Sequence, residues 1–132
     1  MKAKPQLGTP SYAQGYGPAV NWTDRGQIYK MGEKTTVKAG SYTEVLVIKE
    51  TSKEETVNAW QLKYFAPGVG NVRVGWGGTK EKTKETLELV KVEQLNPKEM
   101  AEVRAKALEL EKSAYKRSPK VYGLTKPMEQ MK

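Results

Sequence analysis

Apolar and polar residues alternate most regularly over residues 60–76. Trp60, Leu62 and Tyr64 alternate with Gln61 and Lys63; beyond Pro67-Gly68, Val72, Val74 and Trp76 alternate with Asn71, Arg73 and Gly75. A period of two marks a strand with one buried and one wetter face. Proline presets φ early in a turn and glycine supplies the positive φ that a type II turn needs next. The stretch therefore predicts a β-hairpin bent at Pro67-Gly68.

Two other stretches are apolar on both faces. Val45 and Val47 oppose Leu46 and Ile48 within residues 42–51, and Leu87 and Leu89 oppose Val90 and Val92 within residues 85–95. Such strands need cover on both sides. Residues 27–31 and 35–39 are shorter candidates, separated by a turn at Gly32. Charged or glycine-bearing connectors at 52–56 and 77–84 complete a succession of strand and short turn, which predicts an antiparallel meander.

The period then changes. Met100, Val103, Ala107, Leu110 and Ala114 recur at spacings of three and four, one apolar stripe on a helix over 97–115. Asn96 is placed to cap it, Pro97 suits the first helical position, and Glu99 completes a capping box. Two heptads with two alanines in the stripe make a poor coiled coil, so the helix is expected on the open face of the sheet. The predicted fold is α+β: a curved antiparallel meander of about five strands with one C-terminal helix packed on a face. Residues 27–116 form that domain, 1–26 an extended arm rich in Gly, Pro and Tyr, and 117–132 a basic tail. Tyr12, Tyr16 and Tyr122 are the candidate contacts of the arm and the tail, either onto the sheet or onto a partner.

Composition narrows the chemistry. The chain of 132 residues has no His and no Cys, and Asp24 is its one aspartate. That removes Ser-His-Asp chemistry, thiol nucleophiles, disulfides and nearly all transition-metal sites. No enzyme activity, cofactor or metal is expected. Two adjacent glutamates, Glu54 and Glu55, are expected to be solvated, and Glu109 and Glu111 project from different helix faces. Ser113-Ala-Tyr-Lys116 matches an S-x-x-K pattern but stands near a helix end, with neither companion motif in the chain. The Gly68-Val-Gly70 and Gly75-Trp-Gly-Gly78 runs lack the residues of a dinucleotide loop or P-loop. Asn21-Trp-Thr23 matches a glycosylation acceptor, a triplet common by chance.

A formal net charge of +8 raises nucleic acid as a partner, but Lys and Arg are interspersed with Glu, as over 80–85, in the manner of a solvated surface. No apolar run approaches the ~20 residues of a spanning helix. The constellation worth testing for binding is Trp60, Tyr64 and Trp76 with Arg73, three rings on adjacent strands beside a cation. Core packing of Trp60 and Tyr64 with Leu62 is the competing reading.

Two segments carry a resemblance. Val37-Lys-Ala-Gly-Ser-Tyr-Thr-Glu-Val45 and Lys63-Tyr-Phe-Ala-Pro-Gly-Val-Gly-Asn-Val72 resemble the turn-and-strand and Ala-Pro-Gly-Val-Gly elements of the TapB-like family of uncharacterised bacterial β-rich domains. Phe65 stands where that family commonly has Tyr. The resemblance implies a curved antiparallel sheet and a secreted or periplasmic, cell-envelope location, with any leader outside this sequence. It implies no catalytic residues. Three functions are therefore weighed: an exported domain binding an apolar small molecule or a protein partner through its sheet; an assembly subunit using aromatic and basic tails; and an RNA-binding sheet with exposed aromatics.

Overall fold

The structure is a computed structural model and describes residues 3–17, 21–51, 58–124 and 126. Six strands are hydrogen-bonded side by side in chain order: β1 (Tyr12–Gly17), β2 (Trp22–Val37), β3 (Gly40–Thr51), β4 (Trp60–Ala66), β5 (Gly70–Gly77) and β6 (Leu87–Glu88). The ladders from β2 to β6 are antiparallel, as a meander joined by short turns requires. Two helices follow, α1 (Pro97–Arg117) and α2 (Pro119–Tyr122).

The meander and the long helix match expectation; the strand count is six rather than about five. Part of the expected arm is strand β1, whose sequence Tyr-Ala-Gln-Gly-Tyr-Gly carries too many glycines to show an alternation. The two short candidates around Gly32 are one strand of 16 residues. Its register against β3 shifts between Ile28 and Lys30, Lys30 and Glu33, and Glu33 and Thr35. Each bulge offsets the side chains by one place, so the alternation breaks while the pairing continues. The expected strand over 85–95 is regular only at Leu87–Glu88.

The hairpin bends where proline and glycine place it. Gly68 has φ +71° and the Val69 N–H donates to the Ala66 carbonyl at 3.2 Å, a type II arrangement that a side chain at position 68 would strain. The loop at 52–56, with Glu54 and Glu55, lies outside the described residues.

The core is in the sheet. Val45, Val47, Ala66 and Val72 form one buried cluster, with Tyr42, Leu62, Tyr64 and Leu89 packed against it. Ile48 is also fully buried, and Ile28 and Val74 nearly so. Val47 and Ile48 are neighbours and point to opposite sides, so both faces of β3 carry buried residues, as its two-sided pattern requires. Leu89 joins the sheet edge to the β2–β3 turn: its N–H donates to the Val72 carbonyl at 2.9 Å and its carbonyl accepts from the Ala39 N–H at 3.0 Å.

The chain divides into two compact units, Met1–Tyr16 with Thr23–Val92, and Gly17–Trp22 with Glu93–Lys132. Within the second, α1 starts on the expected capping box. Asn96 Oδ1 accepts from the Glu99 N–H at 3.0 Å, and the Glu99 carboxylate accepts from the Asn96 N–H at 2.9 Å. The expected burial of its apolar stripe is not found: no residue of α1 is buried, and Met100, Val103 and Leu110 are 54%, 50% and 68% exposed.

Candidate functional site

Residues directly opposite in an antiparallel ladder share a face. Tyr64 opposes Arg73 and Trp60 opposes Gly77, whereas Trp76 opposes Gln61. The register therefore separates the predicted constellation. Trp60, Tyr64 and Arg73 occupy one face of the β4–β5 hairpin, with Val47 and Lys49 of β3 beside them; Trp76 lies on the other. The three rings do not line one groove.

On the first face, each ring carries a cation from its own chain. Lys49 Nζ lies 4.0 Å from the centre of the Trp60 ring, and the Arg73 guanidinium 5.5 Å from that of Tyr64. Both distances fall within the reach of cation–π attraction. The indole of Trp60 also lies over Gly77, where a Cβ would collide with it. Tyr64 packs on the core cluster. The competing reading thus accounts for Tyr64 and Leu62, while Trp60 is a half-buried ring held between a glycine and a lysine.

The second face carries a polar row and one that is apolar except at Lys63. Gln14 of β1 reaches over Gly26 to donate to the Glu50 carboxylate at 2.6 Å, and Lys63 of β4 pairs with that carboxylate at 2.5 Å. Glu50 has a side chain only 10% exposed, so both partners offset the cost of taking its charge from water. Beside it, Gln61 donates to Glu85 at 2.6 Å, and Trp76, 38% exposed, has Lys84 Nζ at 5.0 Å from its ring. Ile28, Ile48, Lys63, Val74 and Leu87 follow as one row across five strands.

The remaining candidates lie elsewhere. Tyr12 is half-buried at the start of β1, near Ser11, whose hydroxyl and carbonyl accept from Arg25 at 2.9–3.1 Å. Tyr16 is exposed on β1. Tyr122 of α2 sits against Tyr115 of α1, ring centres 5.7 Å apart, inside its own unit. The Ser113 hydroxyl donates to the Leu110 carbonyl at 2.8 Å, one turn back on the helix, a structural use of the S-x-x-K serine.

Small clefts lie on the sheet among the described residues. One of about 220 Å³ lies along β5 and β6, between Asn71–Val74 and Leu87–Leu89; another of about 110 Å³ is lined by Ser11, Gln27, Lys49 and Thr51. A third, about 330 Å³, lies against Glu111, Lys112, Tyr115 and Lys116 of α1. Among the described residues no three acidic side chains are grouped to hold a metal ion, and no helix is long and apolar enough to cross a membrane.

Sequence reasoning missed Lys49, Gln14 and Glu50. Each meets its partner across the sheet; Lys49 and Glu50 were signalled only as charged residues in an apolar strand, and Gln14, in the glycine-rich β1, carried no such signal. Comparison with protein-family models, with curated proteins and with solved structures finds no match to this chain.

Proposed function

We propose that this chain is a non-enzymatic binding domain whose partner is another protein, one offering an apolar groove rimmed by acidic groups. The observation that carries the reading is the helix α1. It is 21 residues long and capped at its start, yet it buries none of its residues and leaves Met100, Val103 and Leu110 at least half exposed. Isolated helices gain little stability in water, and an amphipathic helix is held chiefly by what its apolar face packs against. Laying that face into a groove is a recurrent mode of protein recognition. The formal net charge of +8 favours an acidic rim.

The apolar-ligand reading has less support. Among the described residues, the sheet clefts of about 220 and 110 Å³ fall short of the ~300–1,000 Å³ usual for ligand pockets. The RNA reading needs free ring faces for stacking, and Lys49, Arg73 and Lys84 already attend those of Trp60, Tyr64 and Trp76. Export to a bacterial cell envelope rests on the TapB-like resemblance and belongs to the same proposal.

The test is isothermal titration of the full chain against each protein that co-purifies with it. Val103→Glu with Leu110→Glu is expected to weaken the specific partner's binding at least tenfold (~1.4 kcal/mol) while the helical circular dichroism persists. Unchanged affinity in the folded double variant overturns the reading.

A further inference from the structure

Tyr64, Arg73 and Glu88 form one row across β4, β5 and β6, on one face of the sheet. Arg73 and Glu88 stand directly opposite each other, at the spacing where unlike charges ordinarily pair. They do not pair. Among the described residues, neither the guanidinium nor the carboxylate takes part in an ion pair or a hydrogen bond. The guanidinium lies beside the Tyr64 ring instead, 5.5 Å from its centre. That attraction draws the fork toward the ring and leaves the carboxylate opposite it unmatched.

Both charges border the cleft of about 220 Å³ along β5 and β6, and Val72, Leu87 and Leu89 are among its other walls. At the volume of liquid water it has room for about seven molecules. A drug-sized ligand is too large for it, and a small metabolite is not. We infer that this cleft binds a free α-amino acid with a small apolar side chain. Its carboxylate sits on the Arg73 fork, its ammonium on Glu88, and its side chain against Val72, Leu87 and Leu89.

The chemistry of the two groups selects this class. A guanidinium offers a carboxylate two parallel N–H bonds, and a carboxylate accepts from any of the three N–H groups of an ammonium. A ligand with one charge engages one of the two. An internal peptide residue carries neither charge, and a peptide C-terminus carries a carboxylate with no ammonium on the same carbon. The apolar wall is held in place beforehand, since Leu89 donates to the Val72 carbonyl and accepts from the Ala39 N–H. The cleft lies on the sheet and shares no residue with the apolar stripe of α1, so the inference does not rest on the reading above.

The test is proton–nitrogen correlation NMR of the full chain titrated with L-valine. Saturable shifts are expected at the amides of residues 71–74 and 87–89, with those of α1 unmoved. Isovalerate, which lacks the amine, and isobutylamine, which lacks the carboxylate, are each expected to bind at least tenfold more weakly than valine. Glu88→Gln is expected to weaken valine at least tenfold and to leave isovalerate unchanged. Arg73→Gln is expected to weaken valine equally and to leave isobutylamine unchanged. If Arg73→Gln fails to fold, shown by circular dichroism, Glu88→Gln carries the test, because that side chain is exposed. No saturable shift with valine, isovalerate binding as tightly as valine, or a Glu88→Gln chain that binds valine like the parent overturns the inference.

Discussion

Trp60 occupies the space that a Cβ at position 77 would need, so the two residues fix each other's identity. Gly77→Ala is expected to push the indole off its seat beside Lys49 and to destabilise the sheet by about 1–3 kcal/mol, the usual cost of overpacking. Urea unfolding followed by tryptophan fluorescence checks it, and a variant as stable as the parent excludes the close approach. Glu50 makes the converse case. Its carboxylate is nearly buried and held by Lys63 and Gln14. Lys63→Ala removes the charged partner and is expected to cost about 1–3 kcal/mol. The loss should be smaller in Lys63→Ala with Glu50→Gln than in Lys63→Ala alone, which a double-mutant cycle measures. The alternation of Trp60, Leu62 and Tyr64 was legible from sequence, because period two names the residues that share a face within one strand. It does not name which set of the next strand joins them. The turn and any bulge decide that: the turn's register, Ala66 with Gly70 and Phe65 with Asn71, would set Trp60 against Trp76, and the bulge between Tyr64 and Phe65 shifts it so that Trp76 opposes Gln61.

At the scale of elements, local chemistry was the most readable and bulged or glycine-rich pairing the least. Asn96, Pro97 and Glu99 marked the start of α1 by residue type and spacing alone, and both bonds of the capping box are formed. Asn96→Ala is expected to cost about 0.5–2 kcal/mol of helix stability. Because α1 buries none of its residues, the effect should appear as lost helical ellipticity, with the melting of the sheet nearly unchanged. A shift of both signals together would show that helix and sheet melt as one. The placement of α1 was not legible: a stripe shows that a face is apolar and is silent on what covers it. Strand β1 was hidden for a different reason, since glycines at positions 15 and 17 leave no side chains to alternate.

For the whole molecule, the fold class followed from counting strand-like and helix-like periods, and the core followed from the two-sided pattern of β3. Ile48→Ala, at a site with no exposure, is expected to cost about 2–5 kcal/mol in denaturant unfolding. A cost below that of an ordinary surface change would place the core elsewhere. Function was less legible for a physical reason. The chain carries no His or Cys, so no residue announces a reaction, and binding surfaces are written in exposure, which one sequence does not contain.

Leu89 engages two distant parts of the chain through a single residue, Val72 on one strand and Ala39 in a turn fifty residues earlier. Its consequence lies in solvent exchange. In deuterated buffer the amide protons of Leu89 and Ala39 are freed by the same opening event, so they should trade for deuterium at matched rates. Proline at position 89, which has no N–H to give Val72, should quicken exchange at Ala39 as well.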